Sequence, residues 1–104
     1  MDVNCVALVG RLASAPRLVE VAGGRQKTAL RLAVERRVNA KGEARGVAFV
    51  DVEAWNATAA ACGMHLEQGR RVAVQGRLEH AEWHDEAGAA RQRVYVLADA
   101  VQFL

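Results

Sequence analysis

Apolar residues occupy alternate positions over most of the chain, a spacing that predicts strands rather than helices. In the first such stretch, residues 3–12, both alternating sets are apolar, which is typical of a strand that is buried on both faces or that meets another subunit. Val6, Leu8 and Leu12 form one set, and Cys5, Ala7 and Val9 form the other. Gly10 interrupts the stretch, and a glycine within a strand indicates a bend, a bulge or close backbone approach. We therefore expect a strongly curved sheet.

Two further strands are predicted before residue 38. Residues 17–21 form a short strand that turns at Gly23-Gly24, which is a hairpin signal. From Lys27 to Arg37 the alternation is regular, with an apolar face and a basic face. The apolar face is Thr28, Leu30, Leu32 and Val34, and the opposite face is Lys27, Ala29, Arg31, Ala33, Glu35 and Arg37. The polar, glycine-punctuated segment 39–46 predicts a loop.

The stretch from Val47 to Trp55 predicts a strand that carries large aromatic residues on its outer side. Ala48, Val50, Val52 and Ala54 form the inner set, and Phe49, Asp51, Glu53 and Trp55 form the outer set. Aromatic side chains on the polar side of a strand indicate a contact surface. The alanine-rich segment 56–68 then predicts a helix, with Asn56 as its N-terminal cap and Gly69 just past its end.

The chain closes with two long alternating stretches, Arg71–Trp83 and Arg91–Phe103, separated by a turn at 85–88. Val72, Val74 and Leu78 are predicted to point inward, with Arg71, Gln75, Arg77, Glu79 and Trp83 outward. In the last strand Val94, Val96 and Ala98 alternate with Arg93, Tyr95 and Asp99. Five substantial strands, one short strand and a helix between the third and fourth main strands predict an all-β fold. We expect a five-stranded Greek-key barrel of the OB type, forming a single domain over residues 1–104.

Charge is unevenly distributed along the chain. The formal net charge is +2, from 14 Lys and Arg against 12 Asp and Glu. Residues 1–50 carry nine basic and four acidic groups (+5), whereas residues 51–104 carry five and eight (−3). The small total therefore leaves room for a basic patch built mostly from the first half.

Three aromatic residues and a set of arginines are predicted to share the outer surface. The aromatics are Phe49, Trp55 and Trp83, and the arginines are Arg31, Arg36, Arg37, Arg71, Arg77, Arg91 and Arg93. This combination suits single-stranded nucleic acid, because unpaired bases stack on aromatic rings for about 1–3 kcal/mol each while arginines contact phosphates. The alternative is that Phe49 and Trp55 belong to a dimer interface or a second small core, since aromatics are also enriched at interfaces.

Other candidate chemistry is weaker. Cys5 and Cys62 have no metal-ligand spacing and are expected to be reduced core thiols. The segment 80–85 contains two histidines and acidic residues without a repeatable spacing, which predicts a solvated hairpin tip rather than a metal site. Asp51 and Glu53 lack an accompanying nucleophile or oxyanion donor and are expected to pair with arginines. We expect no enzyme activity, no cofactor and no metal.

No charged leader precedes an apolar segment, and no apolar run approaches the roughly 18 residues of a membrane span. We therefore expect a cytoplasmic protein without membrane contact.

Several segments, in order along the chain, together resemble the bacterial single-stranded DNA-binding protein family. They are Val6-Ala-Leu-Val-Gly-Arg-Leu12, Ala15-Pro-Arg17, Leu30-Arg-Leu-Ala-Val-Glu-Arg-Arg37, Val74-Gln-Gly-Arg-Leu78, Trp83-x-Asp85-x-x-Gly88 and Ala98-Asp-Ala-Val-Gln-Phe103. The resemblance implies an OB-fold subunit that forms a homotetramer, wraps single-stranded DNA and catalyses no reaction, in replication, recombination or repair. It places Phe49, Trp55 and Trp83 at base-stacking positions and Arg91 at a basic position.

The sequence also departs from this family's pattern. Val38 stands where a further stacking aromatic is expected, and Cys5 where a lysine is common. Residues 79–82 and 67–68 lack the usual basic side chains. The family's glycine-rich linker and acidic tail are also absent, so we expect a short, tail-less member that recruits no enzymes through such a tail.

Two alternatives remain open at this stage. The first is a dimeric DNA-binding protein resembling primosomal protein B, which has a similar size and the same fold and also contacts a helicase. The second is a structural assembly module whose outer face is covered by protein. A dimer is correspondingly the alternative to a tetramer.

Overall fold

The computed structural model describes residues 1–37, 40–43 and 46–104. Within these ranges the chain forms six strands and one α-helix. They are β1 (Val6–Leu12), β2 (Arg17–Val21), β3 (Arg25–Glu35), β4 (Val47–Trp55), α1 (Asn56–His65), β5 (Arg71–His84) and β6 (Ala90–Phe103). This arrangement confirms the predicted all-β fold, with its helix between the third and fourth main strands. Val38 and part of the predicted 39–46 loop lie outside the described residues.

The strand pairings close on themselves. The sheet order is β1-β5-β6-β4-β3-β2, and β1 also pairs with β3. The five long strands therefore form a closed circuit to which β2 is added at β3. The β4–β6 contact is parallel, and the other pairings are antiparallel.

The core lies inside this circuit and is closed at one end by α1. Its buried apolar side chains are those that the alternation places inward, together with two from the helix and Leu66 just after it. They are Leu12, Leu30, Leu32, Val52, Ala54, Ala59, Cys62, Leu66, Val72, Val74 and Val96. The buried Thr28 hydroxyl donates a hydrogen bond to the Ala59 carbonyl oxygen at 2.7 Å, which ties the helix to β3.

Two glycines permit the close backbone contacts of the barrel. A Cβ atom at Gly10 would lie 2.6 Å from the Ala33 carbonyl oxygen, at the place where β1 crosses from β5 to β3. A Cβ atom at Gly76 would lie 2.0 Å from the Leu97 carbonyl oxygen, beside a register shift between β5 and β6. The prediction of a bend or close approach at Gly10 is therefore confirmed.

Several predicted boundaries were wrong. β1 begins at Val6 rather than at residue 3, β3 ends at Glu35, and α1 ends at His65. Asn56 does not cap the helix, because it is itself the first helical residue, with φ of 55°, and Trp55 occupies the cap position without a side-chain hydrogen bond. The helix ends on a bond from the Leu66 amide to the Cys62 carbonyl, ahead of Gly69.

The inward placement of Leu78 was also wrong. Leu78 is 49% exposed although it lies opposite the buried Val96, because it stands at the rim of the barrel. Val94 is 59% exposed because β5 and β6 continue past that rim as a hairpin. Beyond the barrel, a side chain at an inward-pointing position of the strand is therefore not necessarily buried. Ala48, near the start of β4, is exposed for a similar reason, since no other element covers it.

The two cysteines differ in their environments. Cys62 is buried as predicted, and burial raises the pKa of its thiol. Cys5 is exposed because it precedes β1, so its assignment to the core was wrong. In the described ranges, no helix is both long and apolar enough to cross a membrane.

Candidate nucleic-acid interface

The outer side of β3 and β4 carries Phe49 near one end. Phe49 lies opposite Ala33 in the ladder and is 56% exposed. The Arg31 guanidinium lies 5.1 Å from the centre of the Phe49 ring and also bonds the Asp51 carboxylate at 2.8 Å. Phe49 therefore presents a ring to solvent with a positive charge beside it.

Trp55 occupies the opposite end of β4. Six residues at about 3.3 Å each separate it from Phe49, so the two rings lie roughly 20 Å apart. The Arg25 guanidinium lies 5.1 Å from the indole centre, and the Lys27 ammonium lies 5.9 Å from it. Each such cation–π contact contributes about 0.5–1 kcal/mol at an exposed site. Trp55 is thus held by two cations at the sheet surface.

Glu53 lies between these aromatics and is only 6% exposed, which corrects its prediction as an exposed outer residue. Its two carboxylate oxygens are shared between the Lys27 ammonium at 3.2 Å and the Arg93 guanidinium at 3.0 Å. These long cationic side chains cover it. The predicted pairing of Asp51 and Glu53 with basic residues is confirmed.

The hairpin formed by the far ends of β5 and β6 carries Trp83. Trp83 is 45% exposed and lies opposite Arg91 in the ladder. The Arg91 guanidinium donates to the Asp85 carboxylate at 2.9 Å, and the Ala89 amide donates to the same carboxylate. These hydrogen bonds lower the pKa of Asp85, Arg91 having the larger effect. The turn therefore fixes Arg91 beside Trp83.

The ladder places further candidate residues on the same side of the hairpin as Trp83. Arg93 and Tyr95 follow Arg91 at alternate positions, and Arg77 faces Leu97 on the partner strand. The Arg93 guanidinium lies 4.5 Å from the centre of the Tyr95 ring. Arg77 bonds Glu79 at 2.8 Å, a hydrogen bond that raises the pKa of the guanidinium. Since Arg93 also contacts Glu53 on β4, this side of the hairpin is continuous with the outer face of β3 and β4.

We call this continuous surface the aromatic face. It comprises Lys27, Arg31, Phe49, Trp55, Arg77, Trp83, Arg91, Arg93 and Tyr95, with the carboxylates that pair with them.

The remaining predicted arginines lie at its margin. On adjacent strands, Arg71 pairs with Arg11, Arg11 with Ala33, and Ala33 with Phe49. Arg71 therefore lies in the same row across the sheet as Phe49. Arg36 and Arg37 lie beyond the end of β3, so Arg37 is not on the outer face of that strand as predicted, and both are exposed. In the described part of the chain, none of Arg36, Arg37 and Arg71 has a carboxylate within ion-pair distance.

Sequence reasoning missed four residues of this region. They are Arg11, Arg25, Lys27 and Tyr95. Lys27 and Tyr95 already stood on predicted outer faces. The contacts of Arg25 and Lys27 with Trp55 join neighbouring strands, so only the strand register identifies those contacts.

Carboxylates offset much of the positive charge on the aromatic face. Lys27, Arg31, Arg77, Arg91 and Arg93 each pair with Asp or Glu within 3.2 Å. A phosphate that approaches these five cations must compete with an existing partner, whereas none of the described carboxylates opposes Arg36, Arg37 or Arg71. Over residues 1–37, 40–43 and 46–104, no cluster of three or more His, Cys, Asp or Glu side chains is placed to hold a metal ion.

A second outer surface, formed by β1, β5 and β6, has a different composition. It consists of two ladder rows, Ala7-Gln75-Ala100 and Val9-Ala73-Gln102. We call it the small-residue face. Val9 is 45% exposed there, and β1 meets β3 only at Arg11 and Leu12. One edge of β1 at residues 6–9 is therefore unpaired in the described chain.

A closed barrel with exposed aromatic rings set among cations on one side defines a binding protein of the OB-fold class. The likeness extends to a solved structure, that of a deletion mutant of the single-stranded DNA binding protein from Thermus aquaticus. The two superpose with a TM-score of 0.84 at 28% sequence identity, covering 98% of this chain and 50% of the Thermus chain. The chain belongs to the Single-strand binding protein family, whose pattern matches residues 3–104.

Relatives in sequence agree. Single-stranded DNA-binding protein B of Bacillus subtilis is 34% identical over 102 residues, which cover 97% of this chain and 89% of that protein. The single-stranded DNA-binding protein of Helicobacter pylori is 31% identical over 103 residues, covering 97% of this chain and 58% of its own length. The corresponding Helicobacter hepaticus protein is 29% identical, and the chain spans 61% of it. The chain thus spans about three fifths of the length of these Helicobacter relatives.

Proposed function

We propose that this chain binds single-stranded DNA without sequence preference, as one binding domain over residues 1–104, and catalyses no reaction. The observation that carries the proposal is the placement of Phe49, Trp55 and Trp83 on one continuous face, with a cation beside each ring. Bases stack on the three rings for about 1–3 kcal/mol each, whatever their identity. Binding of this kind protects single strands during replication, recombination or repair, which take place in the cytoplasm.

The cations have two roles in this proposal. Arg36, Arg37 and Arg71 contact phosphates directly. Lys27, Arg31, Arg91 and Arg93 lie beside the rings. These four cations and Arg77 contact phosphates only in competition with their carboxylates. Each phosphate contact on a single strand adds about 0.7 to the slope of log affinity against log salt. We therefore expect a weaker salt dependence than for a relative whose cations lack such partners.

Titration with oligo-dT, followed by tryptophan fluorescence, tests the proposal. The chain has two tryptophans, and both lie on the aromatic face, so stacking quenches most of its emission. We expect strong quenching that weakens as salt is raised, and no competition from an equimolar DNA duplex. Absence of quenching at low salt contradicts the proposal and favours a face covered by protein.

We further propose that the chain binds a second copy of itself through the small-residue face and the open edge of β1. An unpaired strand edge offers backbone donors and acceptors to another strand. Two copies of residues 6–9 pair antiparallel about a twofold axis, because such an interface is self-complementary. The flat rows of Ala7, Val9 and Ala73 allow close approach. A homotetramer then forms from two such dimers, and light scattering distinguishes it from a dimer or a monomer.

A further inference from the structure

Glu53 lies at the centre of a cluster that the three stacking aromatics do not account for. It is 6% exposed, and its carboxylate is bound by Lys27 on one side and Arg93 on the other. Each of these cations also lies over an aromatic ring, Lys27 over Trp55 and Arg93 over Tyr95. A single carboxylate therefore links the environment of Trp55 to that of Tyr95.

Tyr95 differs from a core aromatic residue. It is partly exposed, alternates with Arg93 on the Trp83 side of the hairpin, and faces Glu79 across the ladder. Burial and the neighbouring Glu53 carboxylate raise the pKa of its hydroxyl. The Arg93 guanidinium covers it at 4.5 Å.

Arg93 is poorly suited to a phosphate contact. Its charge is already offset by the nearly buried Glu53, and a hydrogen bond of 3.0 Å fixes one guanidinium nitrogen. Its side chain is nevertheless 38% exposed, so part of the group remains open to solvent. A guanidinium plane supports a stacked base as an aromatic ring does. Arg93 resting on Tyr95 thus offers a flat, positioned platform.

We propose that Arg93 and Tyr95, positioned by Glu53, form a fourth nucleobase-stacking subsite between Trp83 and Trp55. The inference rests on the proposed binding of single-stranded DNA and assigns one more base to the aromatic face. Tyr95 supports the guanidinium from below, Glu53 fixes its orientation, and a base stacks on the exposed part. The bound strand passes from the hairpin to β4 through this subsite.

The first test compares matched substitutions by oligo-dT affinity at two salt concentrations. Tyr95→Leu removes the flat support and is expected to weaken binding about five- to thirtyfold, as for the loss of one stacked base. Tyr95→Phe retains the ring and is expected to bind within twofold of the parent. Arg93→Lys retains the charge but loses the plane, and is expected to weaken binding severalfold with an unchanged salt slope. Thermal unfolding by circular dichroism checks that each variant is folded.

The second test uses the unmodified chain. An oligo-dT containing 5-iododeoxyuridine is crosslinked by ultraviolet light, and the peptides are analysed by mass spectrometry. We expect adducts in the segment that contains Arg93 and Tyr95, as well as at Trp55 and Trp83. Adducts at both tryptophans without any at either Arg93 or Tyr95 overturn the subsite.

The outcomes separate the two proposals. If oligo-dT quenches neither tryptophan, the proposed binding of single-stranded DNA is contradicted, and so is the subsite that rests on it. If the parent binds and is quenched, but Tyr95→Leu and Arg93→Lys bind equally well, only the subsite is overturned. If Arg93→Lys keeps its affinity while Arg93→Gln lowers the salt slope by about 0.7, Arg93 is a phosphate contact instead.

Discussion

The aromatic face and the small-residue face are both made of outward-pointing residues on one closed sheet, yet they differ in every other respect. The aromatic face carries exposed rings held by cations, and carboxylates offset those cations. The small-residue face carries alanine, valine and glutamine in two flat rows beside an open strand edge. Rings that face solvent suit a ligand that presents flat bases. A flat row of small residues beside an unpaired strand edge suits a strand of another subunit. In the proposed account, the barrel therefore separates ligand binding from self-association.

The largest effect is expected from a charge placed on the small-residue face. Val9→Glu brings two carboxylates together across a twofold interface, and like charges so placed cost several kcal/mol, or about a hundredfold or more in dissociation constant. Sedimentation equilibrium measures the loss of the oligomer. Val94→Glu alters another exposed valine, on the hairpin, and is expected to leave the oligomer intact. Equal association of the two variants contradicts the assignment of this face.

The next effect concerns the aromatic face. Trp55→Ala removes a stacking ring and is expected to weaken oligo-dT binding about five- to hundredfold. Fluorescence anisotropy of a labelled oligonucleotide measures it. Gln102→Ala, on the small-residue face, is the control and is expected to bind like the parent. Were the two variants to bind alike, Trp55 would not be a stacking residue.

A smaller effect tests whether carboxylates restrain the cations. Asp51→Asn releases Arg31 for a phosphate, so binding at low salt is expected to strengthen up to about fivefold, the range of an exposed ion pair. The salt slope becomes steeper by about 0.7. Glu20→Gln, at an exposed position of β2 opposite Gln26, changes the net charge equally without removing a partner of an aromatic-face cation, and is expected to alter neither value. If affinity and salt slope change equally in both variants, the change in net charge alone explains the effect.

The smallest effect concerns the hairpin turn and pH. Hydrogen bonds from Arg91 and the Ala89 amide lower the pKa of Asp85 in the folded state, so folding favours its charged form. This contribution is present above the unfolded pKa and is lost as pH falls through the lowered folded pKa. Carboxyl NMR titration should therefore give a pKa below the ordinary 3.8, with Ala89 amide protection lost over the same range. A pKa at or above 3.8 contradicts the Arg91 bond.

Much of the barrel followed from alternation alone. The bounds of β2 and β4 were predicted correctly, and the inner set of β3, from Thr28 to Leu32, is buried as expected. The alternation did not predict burial correctly at the end of the barrel. Leu78 at the rim and Val94 beyond it keep inward parity but are exposed, and the hydrophobic pattern alone does not reveal where neighbouring strands stop. The predicted helix ends were wrong at both termini. Trp55 rather than Asn56 occupies the N-terminal cap position, and the helix ends at His65, before Gly69.

The candidate site was only partly predictable. Parity correctly placed the exposed Phe49 and Trp83 outside, but the burial of Glu53 arises from Lys27 and Arg93 on two other strands. Contacts across strands need the register, which the sequence does not state. For the same reason, the cation partners of Trp55 emerged only from the fold. Arg93 and Tyr95 share one set of alternating positions on a single strand, so their proximity could have been predicted from the sequence.

One measurement tests the central claim that single-stranded DNA occupies the aromatic face. In a ¹H–¹⁵N NMR spectrum the chain gives two indole N–H signals, one from Trp55 and one from Trp83. On addition of oligo-dT we expect both signals to move, while the backbone amides of Ala7, Val9 and Gln102 stay in place. Indole signals that do not move, with shifts confined to the small-residue face, would contradict the account.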